Sequence, residues 1–160
     1  MNRDALLGRL LDHAVDFVII GGTAANMHGV ARVTYDLDVV YERSSENVRR
    51  LVAALSPIHP YLRGARAGLP FRFDEETVSR GLNFTLTTDG GDLDLLGEVT
   101  GVGDYAAARA RSLEGTISGS RIRFLDLGAL IEAKRAAGRP KDFEAIAELE
   151  VLLAERRSPS

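Results

Sequence analysis

The sequence of 160 residues contains no cysteine, no tryptophan, only three histidines and no long apolar segment. Without cysteine, disulfides, thiolate metal sites and thiol nucleophiles are excluded. No run approaches the roughly 18 apolar residues that a membrane helix needs, and the first residues lack the apolar core of a signal peptide. We therefore expect a cytoplasmic protein with no membrane contact.

Composition is otherwise ordinary for a globular protein, with 45% hydrophobic and 27% charged residues. We expect one domain over residues 1–160, with residues 155–160 as a frayed tail, because a chain of this length can bury a sizeable core. The formal net charge is −3. The protein as a whole therefore does not attract nucleic acid, and any polyanion must be held by a local basic patch.

Hydrophobic periodicity predicts helices at both ends of the chain and strands between them. The order is helix, strand, helix, strand, helix, two hairpins and a helical C-terminus. This order predicts an α/β (α+β) fold, in which a small mixed sheet is flanked by helices and followed by a C-terminal helical pair. Predicted strands cover 17–20, 36–41, 82–87, 92–96, 116–117 and 121–125, and the last two helices cover 127–136 and 140–155.

The most informative stretch runs from Phe17 to Tyr41. A short apolar strand ends at Gly21-Gly22, and a second strand carries Asp36 and Asp38. Strand side chains alternate between faces, so these two carboxylates point the same way. Adjacent carboxylates repel each other, and a hard divalent cation such as Mg²⁺ relieves that repulsion. The glycines let the backbone approach a ligand closely, at a helix start that suits an anion.

A Gly-Gly turn followed by Arg32-x-Thr34-x-Asp36-x-Asp38 resembles the nucleotidyltransferase superfamily. More narrowly, it is similar to the AbiEii-like group, which includes bacterial toxin-antitoxin and abortive-infection toxins. The resemblance extends over most of the chain, although the chain is short for these toxins. It implies a nucleotidyltransferase fold, Mg²⁺ or Mn²⁺ as cofactor and a nucleoside triphosphate as substrate.

Nucleotidyl transfer needs a third carboxylate on a neighbouring strand, and Asp92 and Asp94 share one face of the next hairpin. Periodicity alone does not choose between them. In the superfamily the third acid precedes two apolar residues, as Asp94 precedes Leu95-Leu96, and Asp92 lies nearer a turn. We therefore predict a metal site at Asp36, Asp38 and Asp94. Glu98 is a more distant alternative.

Several other residues are candidates for binding the nucleotide. Thr23 follows the glycines, where its hydroxyl meets a phosphate or satisfies the helix start. Arg32 either clamps the triphosphate or forms a surface ion pair. The segment around Lys134 either is a charged helix end or resembles the fourth motif of AbiEii-like proteins. That resemblance implies nucleotide contacts for Lys134, Arg139 and Lys141, and a role in activity for Asp142.

The sequence predicts a metal-dependent nucleotidyltransferase that transfers a nucleoside monophosphate to an acceptor hydroxyl. The resemblance implies a toxin acting on RNA, specifically tRNA, with an antitoxin protein as a possible partner. Two basic segments, 63–72 and 134–141, are expected to form a rim around the acidic centre. Two alternatives are an enzyme that modifies an antibiotic or a protein, and a non-catalytic regulatory or antitoxin-like partner with the same fold.

Overall fold

A seven-stranded mixed sheet forms the centre of the computed structural model, which describes residues 3–157. Its strand order is β3-β4-β5-β2-β1-β9-β8, with helices packed against it. The strands are β1 (Phe17–Ile20), β2 (Leu37–Tyr41), β3 (Tyr61–Leu62), β4 (Phe84–Thr88), β5 (Gly91–Leu96), β8 (Ser112–Ile117) and β9 (Ser120–Leu125). A separate two-stranded ribbon joins β6 (Glu98–Val99) and β7 (Gly103–Asp104). This architecture confirms the predicted fold class.

The helices follow the amphipathic segments of the sequence. Those before the last two are α1 (Arg3–Asp12), α2 (Gly21–Met27), α3 (Ser45–Leu55), α4 (Glu75–Arg80) and α5 (Tyr105–Ala110). Side-chain caps begin several of them, as predicted for Asp126 at the next helix. Over residues 3–157, no helix has the length and apolar character required to cross a membrane.

The three central strands position the candidate acids. All four residues of β1 are buried, as expected for a short β-branched strand inside a sheet. Strand β2 runs antiparallel to β1 and parallel to β5. Leu37 and Leu93 are fully buried in the core, and alternation directs the neighbouring carboxylates to the opposite face.

The C-terminal helical pair consists of α6 (Leu127–Ala137) and α7 (Phe143–Arg157), which contact each other. Gly138 ends α6 with φ at 65°, a left-handed conformation that glycine adopts without steric cost. Pro140 lies in a short 3₁₀ turn, Pro140–Asp142, that precedes the last helix.

Helix α7 extends into the predicted tail, and Arg156 ties its last turn to the residue that ends α2. The Arg156 guanidinium donates to the backbone oxygen of His28 at 3.0 Å and contacts His28 Nδ1 at 2.8 Å. Residues 158–160 of the predicted tail lie outside the described residues.

Candidate functional site

The parallel pairing of β2 with β5 brings two acids side by side. Asp38 is in register with Asp94, so both side chains lie on the same face of adjacent strands. Asp36 immediately precedes β2, and Asp92 lies two residues before Asp94 on β5. The predicted acids therefore lie on two adjacent strands, with Asp94 directly beside Asp38 and Asp92 nearer the hairpin turn.

Arg63 lies among these carboxylates. Its Nη2 is 2.9 Å from Asp94 Oδ1, its Nε is 3.3 Å from Asp92 Oδ2, and its Nη1 is 3.9 Å from Asp36 Oδ2. The sequence placed Arg63 in a solvated or substrate-facing loop, with its charge contributing to a basic rim. It instead faces the acids. Its backbone N–H donates to Thr85 O at 2.9 Å, which holds Arg63 beside β4.

Asp38 is the most perturbed acid at this site. Burial, the neighbouring Asp94 and the charge of Asp36 raise the pKa of Asp38 to about 7, and Arg63 opposes that increase. Its Oδ1 is buried and has no hydrogen-bond partner within residues 3–157. An unpaired carboxylate oxygen in this position is a free ligand for a cation.

Gly21 and Gly22 leave space for the side chains of Asp38 and Thr34. Gly21 has φ at 64°, and a Cβ there would lie 2.2 Å from Asp38 Oδ2. A Cβ at Gly22 would lie 2.4 Å from Cγ2 of Thr34. The Asp38 carboxylate therefore requires glycine beside it, which gives a steric reason for finding both motifs in one chain.

A cleft of about 320 Å³ joins the acids to the C-terminal helices. The sheet side of the chain contributes Gly21, Asp38 and Asp94 to its lining, and the C-terminal region contributes Lys134 and Arg139. The rest is mostly apolar and includes Leu96, Val99, Leu130, Ala133 and Ala137. The predicted approach of Lys134 to the glycine turn is consistent with this cleft.

Asp142 holds the two cations of that cleft. It is buried, with Oδ2 at 2.7 Å from Arg139 Nε and Oδ1 at 3.7 Å from Lys134 Nζ. Asp142 therefore faces the cations and is not among the residues lining the cleft. Lys141 is exposed and also does not line it.

Two other candidates occupy different surroundings. Thr23 is buried, and its Oγ1 has no hydrogen-bond partner in the described part of the chain. Arg32 Nη2 is 2.8 Å from Glu148 Oε1 on α7. With Thr34 and the exposed Tyr35, Arg32 lines a separate groove.

His28, the histidine nearest the motif, has a structural role. Its Nε2 is 2.8 Å from the Leu125 carbonyl oxygen, and Arg156 contacts its Nδ1. Because Arg156 is a donor, Nδ1 accepts and Nε2 donates, which fixes the neutral tautomer. Burial lowers the pKa of His28, in agreement with a neutral ring.

The carboxylate oxygens of this site suit a hard divalent cation, although the acids are not arranged as a complete set of metal ligands. Carboxylate oxygens are the ligands Mg²⁺ prefers, and Asp38 Oδ1 is free to bind one. In residues 3–157, however, no three His, Asp or Glu side chains converge as a metal-binding group. The guanidinium of Arg63 lies among them.

Comparison with known proteins identifies the fold. No family model matches this chain, and no curated protein matches it in sequence. The chain is similar in structure to a "putative nucleotidyltransferase" from Thermotoga maritima, with a TM-score of 0.57 and 17% identity. The match covers 92% of this chain and 94% of that one. The chain thus has a nucleotidyltransferase-like fold.

Proposed function

We propose that this protein is a metal-dependent nucleotidyltransferase of the AbiEii-like type, which transfers a nucleoside monophosphate from a nucleoside triphosphate to an acceptor hydroxyl. One observation carries the proposal: the adjacent carboxylates of Asp38 and Asp94 line a single cleft together with Lys134. A triphosphate needs cations on both sides, and this arrangement offers a place for a metal opposite a lysine.

The residues around the cleft divide into two groups. Asp36, Asp38 and Asp94 would hold Mg²⁺ or Mn²⁺, which supplies positive charge to the phosphates and activates the attacking oxygen. Lys134 and Arg139 bind phosphate oxygens from the helical side, and Asp142 keeps both in position. Backbone groups of the Gly21-Gly22 turn are available to the phosphate chain.

The transfer exchanges one phosphorus–oxygen bond for another. The acceptor oxygen bonds to the α-phosphorus while the bond from that phosphorus to the α–β bridging oxygen breaks. Pyrophosphate leaves with the electron pair, and the hydroxyl proton passes to a carboxylate. Asp94 is the proposed proton acceptor, because it lines the cleft whereas Asp142 is buried and does not line it.

The proposed acceptor is RNA, specifically tRNA, and the proposed cellular role is that of a toxin with an antitoxin protein as partner. Exposed cations support a polyanion: Arg139 lines the cleft, Lys141 follows it closely in sequence, and Arg66 and Arg72 follow Arg63 along the chain. Local positive charge on an acidic protein gives binding that weakens steeply with salt.

Transfer of labelled nucleotide tests the proposal. Purified protein is incubated with each α-labelled nucleoside triphosphate, Mg²⁺, and tRNA, lysate protein or aminoglycoside as acceptor. We expect the wild type to label tRNA and Asp38→Asn to leave it unlabelled. The control Asp12→Asn changes an exposed carboxylate at the end of α1 and should label tRNA as the wild type does.

The distribution of label separates the alternatives. Label on a protein or a drug, and none on RNA, overturns the choice of acceptor but retains nucleotidyl transfer. No transfer with any nucleotide or acceptor, from protein that is folded and binds metal, favours the non-catalytic alternative.

A further inference from the structure

The guanidinium of Arg63 lies against two of the three carboxylates that would hold a metal, those of Asp36 and Asp94. It contacts Asp36, Asp92 and Asp94, with its shortest distance, 2.9 Å, to Asp94 Oδ1. The side chain is only 27% exposed. Carboxylates that share one guanidinium repel one another, and Arg63 supplies positive charge that offsets this repulsion.

Backbone contacts hold Arg63 in this position. Its N–H donates to Thr85 O at 2.9 Å, and its Nη2 donates to Leu86 O at 2.7 Å. Thr85 is the residue paired with Asp94 in the neighbouring strand. Arg63 is thus anchored one strand away from Asp94, and its side chain reaches across β4 to the acids.

Two of the three proposed metal ligands, Asp36 and Asp94, are acids that Arg63 contacts. Metal–oxygen distances of roughly 2.0 to 2.6 Å would place that cation close to a guanidinium that itself lies 2.9 Å from Asp94 Oδ1. Two cations at this separation repel strongly in a half-buried site. Metal and guanidinium therefore compete for the same carboxylates.

We propose that Arg63 is a built-in counter-cation of the acidic centre, which a divalent metal must displace, and that Arg63 thereby sets the affinity of the protein for that metal. The inference rests on the proposed function, since it takes the acidic centre to be the metal site. Arg63 is a positioning residue here, because it acts through the carboxylates.

The test measures Mn²⁺ affinity by titration calorimetry at pH 8 without nucleotide. Variants are Arg63→Ala and Arg63→Gln, the second keeping a hydrogen-bonding side chain in case the first does not fold. We expect each to bind Mn²⁺ about tenfold or more tightly than the wild type, since a competing charge is removed. Arg66→Ala and Arg66→Gln are matched controls, because Arg66 lies in the same segment but is exposed, and we expect them to stay within about twofold.

Thermal unfolding gives a second readout that a purely structural role would not produce. Without metal, Arg63→Gln should unfold at a lower temperature than the wild type, because the carboxylates lose their counter-charge. Saturating Mn²⁺ should then raise its Tm by more than it raises that of the wild type.

The outcomes distinguish the two proposals. Folded Arg63 variants that bind Mn²⁺ with wild-type or weaker affinity overturn the counter-cation role while leaving the metal site intact. Absence of Mn²⁺ binding in the wild type and in every variant overturns the proposed metal site, and the role of Arg63 with it.

Discussion

At the scale of single residues, Gly21 shows how closely the Gly-Gly turn packs against the Asp38 side chain. Its positive φ strains any residue with a Cβ, and that Cβ would also collide with the Asp38 carboxylate. We expect Gly21→Ala to lower the free energy of unfolding by about 2–4 kcal/mol. Gly119→Ala is the control, because Gly119 has φ at 82° and a Cβ added there would meet no atom of the described residues within 4 Å.

Urea unfolding of both glycine variants separates strain from collision. In the control, the free energy of unfolding should fall only by the cost of placing alanine in the left-handed conformation, about 1–2 kcal/mol. Equal losses in the two variants would mean that the Asp38 carboxylate moves aside freely, so that the contact with Gly21 contributes nothing of its own.

Asp38 is expected to reduce stability at neutral and higher pH. Its pKa is raised to about 7 in the folded state, whereas an unfolded Asp has a pKa near 4. Between these values the folded protein holds a proton that the unfolded chain releases, so stability falls as pH rises from about 4 to 7. In EDTA at pH 8, Asp38→Asn should therefore be more stable than the wild type by roughly 1–3 kcal/mol.

Urea unfolding at pH 8 and pH 4 checks this dependence. The advantage of Asp38→Asn should be largely absent at pH 4, where the native side chain is already neutral, and Asp12→Asn should show no such change. A variant that is less stable than the wild type at pH 8 would contradict the raised pKa.

At the scale of elements, strand alternation made the acids predictable but could not place Arg63. Asp36 and Asp38 follow a recognisable apolar strand, so their common face is a local property. The position of Arg63 depends on pairing between β3 and β4, a strand of two residues against one of five. Nothing in the local sequence specifies this register, since Tyr61 and Leu62 lie in a segment of prolines and glycines.

The C-terminal elements were predictable from capping residues, whereas their contacts were not. Asp126 and Gly138 delimit α6 as expected. Asp142 was predicted from the resemblance to act in catalysis, and its burial between Lys134 and Arg139 becomes visible only once both helices are packed. The ion pair of Arg32 with Glu148 joins residues 116 positions apart, which no local pattern indicates.

Helix α6 carries the next prediction, which concerns Lys134. Its side chain is 20% exposed and lines the same cleft as Asp38 and Asp94. Lys134→Ala should weaken nucleotide binding about tenfold or more and leave Mn²⁺ affinity nearly unchanged, because the proposed function assigns its charge to the phosphates. Arg135→Ala is the control, since Arg135 lies on the same helix but pairs with Glu150. Calorimetry with a non-hydrolysable triphosphate measures both affinities, and unchanged nucleotide binding would assign Lys134 to stabilising the helix end.

At the scale of the whole molecule, an acidic protein must bind a polyanion through a small part of its surface. The net charge is −3, and many arginines are paired with acids, among them Arg32, Arg111 and Arg135. Arg63, which the sequence assigned to the basic rim, instead pairs with the carboxylates of the acidic centre. The proposed rim therefore depends on fewer cations than the sequence suggests, chiefly those that are exposed beside the cleft.

Lys141 provides the sharpest test of that rim. It is exposed next to the Arg139–Asp142 pair and lies outside the cleft, so its removal should leave nucleotide affinity intact. If Lys141 contacts an RNA phosphate, Lys141→Ala should weaken tRNA binding and reduce the slope of log affinity against log salt by about one unit. Arg49→Ala removes an exposed charge on α3, which lies 3.7 Å from Glu75, and should leave the slope unchanged. Fluorescence anisotropy at several salt concentrations measures these slopes, and identical slopes for the two variants would place the RNA on another surface.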